Sequence, residues 1–133
     1  MQRREAREFL LTALYRCEFL PGALEEMFEE FDPQDQRTYI ETLFNGIQQH
    51  RCEIDALLGA KTVGWKFERL ALLDRNILRI GVYELLYFDD VPPEVALDEA
   101  VELAKKYGTE KARSFINGIL DRIWKEHRDG AAS

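Results

Sequence analysis

The run FERLALLDRNILRIGVYELLYF, residues 67–88, limits the chain's folding options more than any other segment. Its apolar residues recur at three- and four-residue steps rather than in alternation, so it reads as a helix. It is apolar on nearly every side, whereas a surface helix keeps a single apolar stripe. Such a helix is stable only when several others surround it, and the rest of the chain must supply them. Val91-Pro92-Pro93 breaks the run, because proline removes a backbone donor and restricts the residue before it.

The remaining segments supply those helices. Ala6, Leu10, Ala13, Leu14 and Cys17 mark one face of a first helix ending near Pro21-Gly22. A short second helix turns Leu24, Met27, Phe28 and Phe31 inward. Asp32 is placed to cap a third helix with Pro33 at its first position, and Ile40, Leu43, Phe44, Ile47, Ile54 and Leu58 form its stripe up to Gly59. Beyond the central run, Leu97, Ala100, Val101 and Ala104 mark another helix that Gly108 closes. Thr109 is placed to cap a last one with Ala112, Ile116, Ile119, Leu120 and Ile123 inward. No segment shows strand alternation or a hairpin signal. The expectation is an all-α fold, a single domain over residues 1–133, long enough to bury roughly two-thirds of its unfolded surface.

Several function classes drop out. No apolar run approaches the ~20 residues of a membrane span, and MQRREARE lacks the apolar core of a signal peptide, so a cytoplasmic protein without membrane contact is expected. Cys17 and Cys52 lie in apolar-periodic segments without metal-ligand spacing and read as small core hydrophobes. His50 and His127 belong to no metal pair, and nucleophile-elbow, Walker and dinucleotide motifs are missing. The chain is therefore expected to be no enzyme, with no catalytic residues, cofactor or metal.

Charge is where the sequence becomes informative. The formal net charge is -7, yet the charge is segregated. Glu18 to Asp32 and Asp89 to Glu102 each hold six acids and no base, whereas Lys105 to Lys125 holds six bases against two acids. Local sign decides what a surface attracts over a Debye length of about 8 Å. Within the basic stretch Lys111, Phe115, Gly118 and Arg122 fall on one line of the last helix, beginning at its N-terminus. Cations, an aromatic ring and a helix start are the components of a site for single-stranded nucleic acid, although an aromatic at helical spacing also suits packing. Gly118 opens a gap that implies close approach of another helix or of a ligand backbone. A second cluster, Arg3, Arg4 and Arg7, projects from the first turns of the first helix. Tyr15 lies off that helix's apolar face, on a flank with Arg4, Glu8 and Leu11, free to pack internally or to meet a partner.

RREAREFLLTALY (3–15), LLDRNILRIGVYEL (72–85) and VPPEVALDEAVELAKKYGTEKARSFINGILD (91–121) resemble successive motifs of the NusB family of bacterial transcription antitermination factors. The resemblance runs from the first helix to the last. It implies two three-helix subdomains packed across each other in one compact helical domain. It also implies pairing with the ribosomal protein NusE, binding of single-stranded boxA-type leader RNA, and action on the RNA polymerase elongation complex with other Nus factors, chiefly on ribosomal RNA operons. Some members of the family self-associate, so a homodimer is among the implied states. Residue by residue, the resemblance implies RNA contacts at Arg3, Arg4, Arg7, Tyr107, Lys111 and Phe115, and partner contacts at Tyr15 and Asp74. Glu5 departs from the pattern, since an arginine often stands there. Lys111 replaces a side chain that is acidic in some relatives, which favours RNA.

Two rival readings remain at this level. NusB-like domains also occur with RNA cytosine methyltransferases, but 133 residues leave no room for a cofactor-binding sheet, so such an activity needs a second polypeptide. A helical scaffold that meets only proteins is the other, and RNA binding measured against salt separates it from the first.

Overall fold

A computed structural model describes residues 1–62, 64 and 66–132. Among them seven α-helices form and no strand does: α1 (Arg3–Cys17), α2 (Ala23–Glu30), α3 (Arg37–Gln49), α4 (Arg51–Lys61), α5 (Leu72–Leu86), α6 (Pro93–Tyr107) and α7 (Glu110–Ala132). Short 3-10 turns at Gln34–Gln36 and Phe67–Arg69 precede α3 and α5.

The helix that is apolar all round is the axis. α5 packs against α1, α3, α4, α6 and α7, and its Ile77, Leu78 and Val82 are wholly buried. α5, α6 and α7 pack on one another as one three-helix group, while α1 packs on both α2 and α3 as the other. α4 bridges the two, from α3 to α5 and α7. At two contacts a side chain in place of glycine would force a neighbour to move. A side chain at Gly46 of α3 would overlap the Tyr83 ring, and a Cβ at Gly81 of α5 would lie 2.6 Å from Leu120 of α7.

α5 also buries charge. Asp74, Arg79 and Glu84 recur every five residues, about 140° apart around the helix, so each faces a different neighbour. Glu84 accepts two hydrogen bonds from Arg7 of α1, at 2.8 and 2.9 Å, and one from the Tyr39 hydroxyl of α3 at 3.0 Å. Burial, then the Glu84 carboxylate, pushes the Tyr39 hydroxyl well above its usual range. Arg79 donates to both oxygens of Asp55 in α4, at 2.8 and 3.0 Å, and reaches Glu18 past the end of α1 at 3.5 Å. Asp74 accepts from the Thr109 amide at 3.0 Å and its hydroxyl at 2.8 Å, just ahead of α7.

The structure corrects several local expectations. The single third helix is two, broken at His50 (φ -101, ψ 15). Periodicity does not register this break, because Ile47, Ile54 and Leu58 keep the seven- and four-residue steps of an unbroken helix. Asp32 caps the 3-10 turn through the Gln34 amide, 2.8 Å away, rather than α3 itself. Gly59 lies inside α4, which runs on to Lys61. Phe31 is exposed rather than inward, and Cys52 is exposed because it stands two residues, about 200°, before the inward Ile54. Cys17 is half-buried, and Leu11 is core rather than flank. The inward set of α7 is as the periodicity predicts: Ala112, Ile116, Ile119, Leu120 and Ile123 are all buried.

Candidate nucleic-acid interface

The start of α1 is fixed before any ligand is considered. The Gln2 amide donates to Glu5 Oε1 at 3.0 Å, completing a capping box, so Glu5 turns back onto its own helix end. The three arginines that follow have different surroundings. Arg3 donates to Gln36 Oε1 at 2.7 Å and lies over the Tyr39 ring, 4.1 Å from its centre. Arg4 is 61% exposed and forms a two-pronged pair with Glu99 of α6, at 3.1 and 2.9 Å. Its hydrogen bond holds the Glu99 carboxyl below the usual carboxylate range. Arg7 is only 4% exposed and is consumed by Glu84, a correction to its expected place beside Arg3 and Arg4 on the surface. The reason is phase: Arg7 stands three and seven residues before Leu10 and Leu14, on the buried face of α1.

Further carboxylates hold the neighbouring cations. Lys106 reaches both oxygens of Glu8 at 2.9 and 3.0 Å, the Tyr107 hydroxyl donates to the same group at 2.9 Å, and Lys105 meets Glu102 at 3.3 Å. The Glu8 hydrogen bond raises the Lys106 pKa, and burial, then Glu8, raises that of Tyr107. A groove of about 320 Å³ between α1 and α6 is thus lined by three cations, Arg4, Lys105 and Lys106, and three carboxylates, Glu8, Glu99 and Glu102. It continues toward α7 as a recess of about 500 Å³ lined by Arg4 and Lys105, by the acids Asp98 and Glu102, and by Asn117 of α7.

α7 presents a second group of residues across its outer face. Thr109 accepts the Ala112 amide at 3.2 Å and is itself held by Asp74, which fixes the helix start. Lys111 is exposed, and it lines a basin of about 570 Å³ with Gly64, Lys66, Arg69 and Leu70. Phe115 is half-buried, packed against the core. Nothing lies within 4 Å of where a Gly118 Cβ would stand. The gap anticipated at that glycine is therefore open, and no described helix approaches it.

The residues expected to meet a protein partner separate. Tyr15 is exposed near the end of α1, with its ring edge-on to Phe19, 5.5 Å between centres. Phe19 and Leu20, 66% and 55% exposed, extend it into an apolar patch that is followed in sequence by the exposed Glu25, Glu26, Glu29 and Glu30 of α2. Sequence reasoning missed these two, although consecutive large apolar residues just ahead of Pro21-Gly22 signal them. It also passed over Lys66, Arg69 and Asn117. Asp74, by contrast, is 3% exposed and both its oxygens are used internally. This corrects its assignment to an outside partner: Asp74 shares the buried phase of Ile77 and Leu78, and the neighbour it satisfies is Thr109.

The chain is similar to known proteins in sequence and in fold. The family model described as NusB family matches residues 4–125. Transcription antitermination protein NusB of Listeria monocytogenes is 40% identical over 128 residues, 96% of this chain and 100% of the relative. The NusB of Bdellovibrio bacteriovorus is 42% identical over 130 residues, 94% of this chain and 96% of the relative. Among solved structures, T. maritima NusB superimposes with a TM-score of 0.86 at 40% identity, over 95% of this chain and 92% of that one. A chain from a crystal structure of the antitermination factors NusB and NusE in complex with dsRNA superimposes with a TM-score of 0.81 at 32% identity, over 93% and 96%.

Proposed function

The chain belongs to the NusB family, and on that premise we propose that it is a transcription antitermination factor that binds boxA-type leader RNA together with NusE and acts on the elongating RNA polymerase, chiefly on ribosomal RNA operons. The observation that carries the reading is the likeness, over nearly the whole length of both chains, to one found in complex with NusE and RNA. The accessible residues suit it chemically. Arg3, Arg4 and Lys111 offer charge to phosphates, while the half-buried rings of Tyr107 and Phe115 offer surfaces to unstacked bases. Arg7 and Asp74 act beneath them, as supports for α1 and for the start of α7. Tyr15, with Phe19 and Leu20, forms an aromatic and apolar anchor that the acid-rich α2 follows in sequence, a combination suited to a basic protein such as one that also binds ribosomal RNA.

The test is a fluorescence titration of boxA-like RNA with the purified chain, alone and with NusE. The expected outcome is weak, salt-dependent binding that tightens when NusE is added. RNA affinity that is absent with and without NusE would leave a protein-only scaffold as the reading. Tyr15→Asp should abolish NusE binding without changing the helical spectrum, and wild-type affinity in that variant would remove the α1 patch from the interface.

A further inference from the structure

The groove between α1 and α6 accounts for the cations at one edge of α7, but not for those at the other. We propose that Lys66, Arg69 and Lys111 form a second phosphate-binding basin, which takes the continuation of a single RNA strand whose other part lies at Arg4 and Lys105; this rests on the RNA-binding reading above.

Three observations support the assignment. Lys66 and Arg69 come from the turn ahead of α5 and Lys111 from the start of α7, so segments far apart in sequence converge on one cavity. Among the described residues the cavity is lined by three cations and no carboxylate; the nearest acids in sequence, Glu68 and Glu110, do not line it. Neither Lys66 nor Arg69 has an acidic partner among the described residues, whereas Arg4, Lys105 and Lys106 each have one. In a chain of formal net charge -7, a cavity with this lining is a local attractor for a polyanion. The lysine at the start of α7 is held in place by Asp74, which fixes Thr109 two residues before it.

The basin also connects to the groove. On α7 the buried residues centre on Ile116 and Ile123, which puts Ser114 and Gly118 on the outermost line of the helix. Asn117, on one side of that line, lines the recess with Arg4 and Lys105, whose charges are balanced there by Asp98 and Glu102. Lys111, on the other, faces the basin. The ridge between them is low, because Ser114 folds its hydroxyl onto the Lys111 carbonyl at 2.7 Å and Gly118 has no side chain. A strand crossing there meets little obstruction and passes the half-buried ring of Phe115.

The experiment titrates fluorescein-labelled single-stranded boxA-like RNA of about twelve nucleotides, within the usual range of such sites, over a series of salt concentrations. The proteins are the wild type, the double variant Lys66→Gln/Arg69→Gln, and Arg4→Gln. A control double variant, Lys125→Gln/Arg128→Gln, removes the same charge from the far end of α7. Each lost phosphate contact flattens the slope of log affinity against log salt by about 0.7. The basin variant should therefore lose about 1.4 in slope and roughly 25-fold in affinity at 0.1 M salt, with an unchanged melt, since both residues are exposed. A wild-type slope in the basin variant, or equal flattening in the control, would overturn the basin while leaving the Arg4 result to judge the RNA reading alone. Loss of affinity for the protein partner with RNA binding unchanged would assign the basin to an acidic protein surface and overturn it too. A wild-type protein that binds no RNA would sink both proposals.

Discussion

The groove beside α1 and the basin ahead of α7 hold equal numbers of cations and behave as opposites. In the groove every cation is matched by a carboxylate, so side chains are held in position and little net field leaves the surface. In the basin no carboxylate lines the cavity among the described residues, so more field leaves it, and ordering Lys66 and Arg69 on a ligand would cost side-chain entropy at that moment. Exposed pairs add little stability, about 0–1 kcal/mol, so the groove's pairs are better understood as presetting geometry than as holding the fold. The contrast shows that counting basic residues in a sequence does not locate its positive surface; the acids brought beside them by the fold decide that.

The largest test asks whether Arg7 belongs to the groove or to the core. Arg7→Gln leaves the Glu84 carboxylate buried without its cation, an expected loss of about 3–5 kcal/mol in denaturant unfolding. RNA affinity of the folded protein should stay within a few-fold of wild type. A stable variant that no longer binds RNA would return Arg7 to the interface and break the distinction between paired support and exposed contact.

On the basin side, Asp74→Ala removes two hydrogen bonds from Thr109 to a buried carboxylate, at a cost of about 1–3 kcal/mol. Because Lys111 follows that turn, the variant should also lose RNA affinity under conditions where it remains folded. Unchanged stability would show that the start of α7 is held by something else. Gly118→Ala should work in the opposite direction, stabilising an open helical position by about 1 kcal/mol. The same variant should weaken RNA binding slightly, because it raises the ridge between groove and basin. Calorimetric melts and titrations on one preparation read both effects, and tighter binding would remove the strand from that ridge.

The smallest effect sharpens the comparison from within the groove. Glu99→Gln frees Arg4, which should raise RNA affinity by a few-fold and steepen the salt slope by up to about 0.7. Acid does the same less cleanly. The Glu99 carboxyl is held below its ordinary range by the Arg4 hydrogen bond, so the pair's contribution to stability is complete above the ordinary glutamate pKa. That contribution is lost only as pH falls through the lowered folded value. Wild-type RNA affinity in Glu99→Gln across the salt series would show that the pair does not mute Arg4.

Much of this was legible in the residues. The all-round apolar character of 67–88 identified the axis, and three- and four-residue steps identified every buried position of α7 named in advance. What failed has specific causes. The break at His50 preserves helical phase and so leaves no mark on periodicity. The inward turn of Arg7 was present in its spacing to Leu10 and Leu14, but an arginine on an apolar stripe signals burial only once Glu84 is known to lie opposite. Asp74 is the same case, since its partner Thr109 lies 35 residues away. The basin was not legible, because Lys66 and Arg69 meet Lys111 only through the packing of α5 against α7.

A rod that is greasy on every side has a problem of indexing. Slid up or down by a turn, or rolled through a fraction of one, α5 would bury almost as much apolar surface as before, and many such seatings would compete. Asp74, Arg79 and Glu84 work like three teeth cut at different heights and angles, each matched to a slot on a different neighbour. Only one seating engages all three; any other strands a charge in the interior. The central helix thus carries its own address within the bundle, and the starts of α1 and α7, each tied to one tooth, are placed relative to one another by that address.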